Sequence, residues 1–307
     1  LTSSSWTRAS TYTLYRDDSE HDWRQVVFEK TAEHLRARGF RVRVQDSASF
    51  DVRVAGLFRR RIALEDSLAV LQNDQTGDYR ALDCHDFPDP DELTWLLLDP
   101  RCKRVLKCQC LRPKFWNPGA GKVRPWTYFD TYWPRYEAIL AALRRAPRTR
   151  NEMCFRGFLW DDRKPVLEIL QQRGIVNPES ASVPFDDFLT ELARHKIVLS
   201  LPGIAEVCHR DMEAFGLGAC VLRPRFTQEF HMAVEPSVHY ISVETNIEKD
   251  APEVAAARIE ERYQWALRQP ELLSAVAARA AQWYDQNVRT PESLDLTARL
   301  LGFGGDA

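Results

Sequence analysis

Two short apolar runs, KIVLSL (196–201) and ACVLRP (219–224), flank a segment dense in charge. That arrangement constrains the chain more than any other feature of its sequence. Adjacent parallel strands cannot be joined by a tight turn; they need a crossover long enough to hold a helix. The intervening stretch opens on Pro202-Gly203 and closes on Gly216, Gly218 and Ala219, so EVCHRDMEAFGLG reads as that helix. In an open parallel sheet, ligands gather outside the carboxyl ends of the strands, where helix N-termini also point. The loop after KIVLSL has that position.

The rest of the chain repeats the alternation. TYTLYRDD reads as a strand and DWRQVVFEKTAEHLRARG as an amphipathic helix ended by Gly39. FRVRVQD, DVRVAG, SLAVLQND and YRALDCHDF follow as strands, PDPDELTWLLLD as a helix, and CKRVLKCQC as a strand. Residues 112–150 combine Pro, Gly, aromatics and basic side chains; they read as an acceptor-side loop, a helix and an interdomain linker. Alternation then restarts with NEMCFRGF, DRKPVLEILQQRG, PFDDFLTELARH, the opening β-α-β unit and HYISVE. The tail is mostly helical, broken at Pro270 and Pro291. Strands alternating with helices predict parallel, three-layer α/β sheets, and 307 residues predict two domains.

Composition narrows the function classes. A 44% hydrophobic and 11% aromatic content suits packed cores, and a formal net charge of −2 argues against a general nucleic-acid binder. Seven cysteines without regular spacing read as buried, reduced thiols rather than zinc ligands, which points to the cytoplasm. No run reaches the ~18–20 apolar residues of a membrane span, so membrane contact is at most peripheral.

Within the charged helix the residue types suggest a ligand. Gly203 lets a backbone approach closely, and the first helical N–H groups face an anion. Arg210 can grip a phosphate with two hydrogen bonds. Glu213, one turn on, can accept from vicinal hydroxyls such as those of a ribose. An exposed i,i+3 pair between Arg210 and Glu213 is the plainer alternative. His209 is open between an exposed helix residue and a donor contact.

RDMEAFGLGACVL resembles the donor-binding helix of GT-B glycosyltransferases, with Arg, two residues, Glu-Ala and small residues before a strand. CFRGFLWDDRKP and HYISV resemble further elements of the capsule-associated and protein O-glucosyltransferase-like family, and the exostosin-like enzymes share the Arg-x-x-Glu helix. The resemblance covers about residues 152–245. It implies a GT-B fold: two Rossmann-like α/β/α domains facing a cleft, with C-terminal helices crossing back. The implied boundaries are 1–148 for an acceptor-side domain, 149–285 for a nucleotide-sugar domain and 286–307 for a returning helix. The implied activity is transfer of a sugar from a nucleotide-diphosphate sugar, UDP favoured over GDP, to a glycan, lipid-linked or protein hydroxyl. Carried over by position, Arg156, Gly157 and Arg163 lie near the donor phosphates, Arg210 binds the pyrophosphate and Glu213 the ribose. Surface pairing of Arg156 and Arg163 with Asp161 or Asp162 is the alternative. Glu206 and Glu213 miss the paired-glutamate spacing of many retaining GT-B enzymes by one residue, which favours inversion.

An inverting transferase needs a general base for the acceptor hydroxyl. The same resemblance makes Asp86, in YRALDCHDFPDP, that base; His85 is its rival, with a side chain that titrates near neutrality. Asp17, Asp18 and His21 form another candidate group. No acidic pair stands at a convincing strand end for a divalent metal, and no resident cofactor is implied. A nucleotide-sugar epimerase or phosphorylase on the same fold, and an inactive sugar- or partner-binding module, remain the competing expectations.

Overall fold

Successive side chains of a strand point to opposite faces of its sheet, and most strands here are buried on both, which sorts the residues into layers. The computed structural model describes residues 6–17, 23–54, 58–64, 67–85, 91–111, 119–127, 135–159, 162–179, 183–203, 205–289 and 292–303. The chain divides into two units. The first comprises Leu1–Thr131, Gln228–Met232 and Thr290–Ala307; the second comprises Tyr132–Thr227 and Ala233–Arg289.

The first unit is built on strands β1 (Thr11–Arg16), β2 (Arg41–Asp46), β5 (Leu68–Asn73), β6 (Tyr79–Asp83), β7 (Cys102–Lys107) and β8 (Val123–Pro125). They form one six-stranded sheet in the order β2-β1-β5-β6-β7-β8. Strands β3 (Ser49–Val54) and β4 (Phe58–Ala63) make a separate hairpin. Leu14, Leu71, Leu82 and Leu106 face one side, where they meet Val27, Phe28 and Leu35 of helix α1 (Trp23–Ala37) and Leu294 and Ala298 of α9 (Glu292–Leu300). Val70, Ala81 and Val105 face the other side, toward Phe50 and Ile62 of the hairpin and Leu93, Leu96 and Leu97 of α2 (Asp91–Leu98).

The sheet is mixed rather than wholly parallel as the alternation predicts, because β5 runs antiparallel to both β1 and β6. The cause is the turn NDQTGD. The Asn73 side-chain oxygen accepts from the backbone N–H groups of Gln75 and Thr76, and Gly77 takes φ 72°, so β5 reverses directly into β6. Strand β4, with three consecutive arginines, also escapes a reading based on apolar runs.

The second unit holds a five-stranded, all-parallel sheet in the order β10-β9-β11-β12-β13. Its strands are β9 (Met153–Arg156), β10 (Val176–Glu179), β11 (Ile197–Leu199), β12 (Cys220–Pro224) and β13 (Ile241–Val243). The helices of this unit are α3 (Arg135–Leu143), α4 (Arg163–Gln172), α5 (Phe185–Arg194), α6 (His209–Gly216), α7 (Pro252–Leu267) and α8 (Pro270–Asn287). Phe155, Leu199 and Leu222 of the sheet pack with Val166 and Leu170 of α4 and Ile259 of α7 in one core. Burial pushes the thiols of Cys154 and Cys220 here, and of Cys102 in the first unit, up to about 12, so they stay protonated at neutral pH. Among the described residues no helix is long and apolar enough to cross a membrane.

Trp6 and Phe303, far apart in sequence, both enter the core of the first unit. Phe303 makes edge contacts with Trp6, Tyr12 and Phe40, at centroid separations of 5.1, 5.2 and 4.7 Å. Arg80 lies over the Trp6 ring at 3.8 Å, and Trp126 donates its indole N–H to Thr297 Oγ1 at 3.0 Å. Replacing a fully buried aromatic leaves a cavity worth about 3–5 kcal/mol. Phe303→Ala is therefore expected to lower the unfolding free energy of the first unit by that amount, read from urea titrations followed by tryptophan fluorescence. A change below about 1 kcal/mol would show that the C-terminal segment is not part of the core.

Candidate functional site

A parallel sheet numbered by its own chain order 2-1-3-4-5 has one switch point, between its first and third strands. Here those strands are β9 and β11, and their carboxyl ends carry Arg156-Gly157 and Ser200 to Gly203. Helices α4 and α6 begin at the same edge, which brings Arg163 and Arg210 to it.

Arg210 is buried to 7% exposure. Its Nε donates to the Arg156 carbonyl at 2.7 Å, and its guanidinium lies over the Phe155 ring at 4.3 Å. Nη1 is buried and makes no hydrogen bond among the described residues. The rival picture of an exposed helix-surface pair does not fit this burial. Gly157, at φ 155°, leaves room for the side chain: a Cβ there would run into Arg210 Nη2.

Arg163 is committed to the backbone. Nε donates to Pro202 O and Nη2 to Leu201 O, both at 2.6 Å, and Nη1 reaches Phe158 O at 3.3 Å. Burial pulls its pKa down, partly offset by Cys208 nearby. A Cβ on Gly203 would stand 2.6 Å from Arg163 Nη2, so the glycine lets the loop close over this side chain. Arg156 pairs with Glu191 of α5 at 2.6 Å.

The remaining charges of the helix separate by role. Asp211 is fully buried; its Oδ2 accepts from the Cys208 N–H at 2.9 Å, and from Arg223 Nη1 at 2.6 Å. Arg223, also fully buried, donates to Glu206 O and stacks on Phe226 at 3.3 Å. Glu206 accepts from the backbone and hydroxyl of Thr227 at 2.6 and 2.9 Å, so it ties down a loop. Glu213 is half-buried, one turn from Arg210, and His209 is exposed at the helix start. Asp211 Oδ1 and Ser200 Oγ are buried without hydrogen-bond partners among the described residues. A guanidinium, a carboxylate oxygen and a hydroxyl with open bonding capacity thus belong to one sheet edge.

In the first unit, β6 and β7 pair in parallel with Asp83 opposite Lys107. Lys107 Nζ lies 3.1 Å from Asp83 Oδ1, both groups being buried, and also donates to His85 O at 3.2 Å. The same Asp83 oxygen accepts from the His85 backbone N–H and faces His85 Nδ1, each at 2.9 Å. That contact places a proton on Nδ1 and leaves Nε2 as the basic nitrogen. Burial alone would push the Asp83 carboxyl up, but the Lys107 charge and the His85 hydrogen bonds hold it below the usual range. Sequence reasoning selected His85 but missed Asp83 and Lys107; an acidic and a basic residue ending neighbouring strands was the available signal. Asp86 lies outside the described residues, as do Asp18, His21, Trp116, Tyr128, Tyr132 and Trp133. Among the described residues no three His, Cys, Asp or Glu side chains are grouped to hold a metal ion.

No protein-family model matches this chain, and no curated protein matches it significantly.

Two outcomes follow from the buried charges. Asp211→Ala strands the Arg223 cation and is expected to cost about 3–5 kcal/mol, while Asp211→Asn with Arg223→Met recovers most of that loss in denaturant titrations. Because the Asp83 carboxyl is held low in the folded state, its stabilisation is complete above the unfolded value of about 3.9. It is lost as pH falls through the lower folded value. In Lys107→Met the buried carboxylate loses its cation and takes up a proton more readily, so acid unfolding is expected at higher pH than in the parent. An unchanged acid midpoint would refute the coupling.

Proposed function

We propose that the chain is a GT-B-type glycosyltransferase that moves a sugar from a nucleotide-diphosphate sugar to an acceptor hydroxyl. The observation that carries this reading is Arg210. A buried guanidinium with an open donor stands at the switch point of a 2-1-3-4-5 sheet, with a Cβ-free residue against it. Phosphate oxygens suit such a donor, because charge-assisted hydrogen bonds to a guanidinium are both strong and directional. The α6 N-terminus adds backbone partial charge of the same sign.

In this reading Arg210 and the first turn of α6 hold the pyrophosphate and stabilise the charge that develops as the nucleotide diphosphate leaves. Glu213 accepts from the ribose hydroxyls. Arg163 touches no phosphate; it holds the loop ending at Gly203 in position through three carbonyls. Arg156 sets Arg210 through its carbonyl and is itself braced by Glu191. His209, at the helix mouth, is the remaining donor contact.

His85 is the candidate general base that the first unit offers, its Nε2 free to take the proton of an acceptor hydroxyl. Asp83 orients the ring and stabilises the imidazolium as it forms, the role an aspartate plays behind a catalytic histidine. Asp86 is the alternative base. Inversion follows from single displacement, and the arginines and helix N–H groups support leaving-group departure without a metal.

The test is calorimetric binding of UDP and GDP, followed by transfer and hydrolysis assays with a panel of nucleotide sugars. Arg210→Ala and Glu213→Ala are each expected to weaken nucleotide binding about tenfold or more, since each removes hydrogen bonds to a charged or hydroxyl partner. Gly157→Ala is expected to do the same without touching the ligand, by displacing Arg210. His85→Gln is expected to lower kcat about 10²–10⁴-fold with nucleotide affinity unchanged. If Asp86→Asn rather than His85→Gln abolishes transfer, the base is Asp86. Absence of nucleotide binding by the parent protein would sink the reading, and binding without turnover would indicate an inactive module.

A further inference from the structure

The first unit contains a polar hollow of about 360 Å³ that none of the preceding roles uses. One wall is a face of the β3–β4 hairpin and another comes from the sheet, through Tyr15, Gln45 and Gln72. The hairpin register places Asp51 opposite Arg61 and Arg53 opposite Arg59. Arg61 is matched by Asp51 at 3.4 Å, and Arg101, also lining the hollow, is matched by the buried Asp99 at 2.7 Å. The Arg53 and Arg59 side chains have no carboxylate partner among the described residues; the Arg53 backbone N–H donates to Asp99 at 2.8 Å.

Like charges directly opposite one another in an antiparallel pair are destabilising. Two arginines stand opposite one another in that register here, on the rim of a hollow whose other walls offer amide and phenol groups. An anion between them would turn the repulsion into attraction, and the amides of Gln45 and Gln72 suit hydroxyl groups. We propose that this hollow binds a small sugar or polyol carrying a negatively charged group, with Arg53 and Arg59 gripping the anion.

Size and pattern favour this ligand over larger ones. The volume falls at the low end of small-molecule sites. Two uncompensated cations on a chain of net charge −2 are few for a polyanion, whose affinity grows with each phosphate neutralised. A membrane surface is disfavoured by strand alternation. The exposed Phe58 shares the opposite face of the hairpin with Arg60, which stacks on Trp95 at 4.0 Å, so the hairpin face that carries Arg53 and Arg59 presents no exposed aromatic of its own.

The site stands independently of the nucleotide-sugar reading, and its test leaves nucleotide out. Glucose 6-phosphate, glucuronate, glucose and inorganic phosphate are titrated into the full chain by calorimetry, at low and moderate salt. Glucose 6-phosphate or glucuronate is expected to bind with an affinity that falls as salt rises, and glucose to give no heat. The double variant R53Q/R59Q is expected to lose about tenfold or more in affinity. It should melt no lower than the parent, because a repulsion has been removed. Arg210→Ala should bind the sugar anion as the parent does; a signal that vanishes there belongs to the other unit and overturns the proposal. The proposal also fails if neither charged sugar binds, or if the double variant binds like the parent. Inorganic phosphate binding as tightly as the sugar phosphate, or binding only to anionic lipid vesicles, would overturn it too.

Discussion

The buried pair between Asp211 and Arg223 is the contact on which the second unit's candidate site depends. Asp211 lies in the first turn of α6 and Arg223 near the end of β12, so their 2.6 Å contact fixes where the helix begins relative to the sheet. Arg223 also reaches the Glu206 carbonyl, and the Glu206 carboxylate grips Thr227, so two loops are fixed with the helix. A buried ion pair adds little net stability over an apolar substitute, but breaking it is expensive. Its value here is directional. With α6 set, Arg210 is carried to the Arg156 carbonyl and the Phe155 ring and cannot swing into solvent.

The first unit uses the same device with different atoms. Asp83 and Lys107 neutralise one another between neighbouring strands, and the carboxylate then directs the His85 ring. In both units an ion pair formed at the carboxyl ends of strands orients a side chain that can do chemistry. Such pairs resist water where a single charge would draw it in, which keeps the oriented group in one arrangement.

Much of this was legible in the sequence because the relevant signals are local. Gly39 and Gly174 mark helix ends, and the crossover between KIVLSL and ACVLRP follows from run lengths alone. Arg210 stood out as a candidate because it follows a Pro-Gly turn at a strand end, where a guanidinium can grip a phosphate. What failed to show has two sources, unrecognised local signals and contacts distant in sequence. The reversal at Asn73–Asp78 makes one sheet mixed, and a turn rich in Asn, Asp and Gly was read only as a loop. Strand β4 is half arginine and its first four residues are exposed, which defeats a search for apolar runs. The commitment of Arg163 to backbone carbonyls, and of Arg156 to Glu191, could not be read from residue type, since a guanidinium serves a phosphate or a carbonyl equally well. Asp83 and Lys107 became partners only through strand register.

The stacking of Phe303 against Trp6, Tyr12 and Phe40 bears on the order in which the chain acquires its structure. The first unit begins at the first residues, yet it is completed by residues 290–307. On a ribosome, where domains generally fold as they emerge, the second unit has all its residues available before the first unit does. The amino-terminal sheet must then wait, with part of its apolar face uncovered, for the last helix to arrive. The sheet that precedes the second unit in sequence is completed after it, and a chain stopped short of Phe303 would leave that face exposed to aggregation.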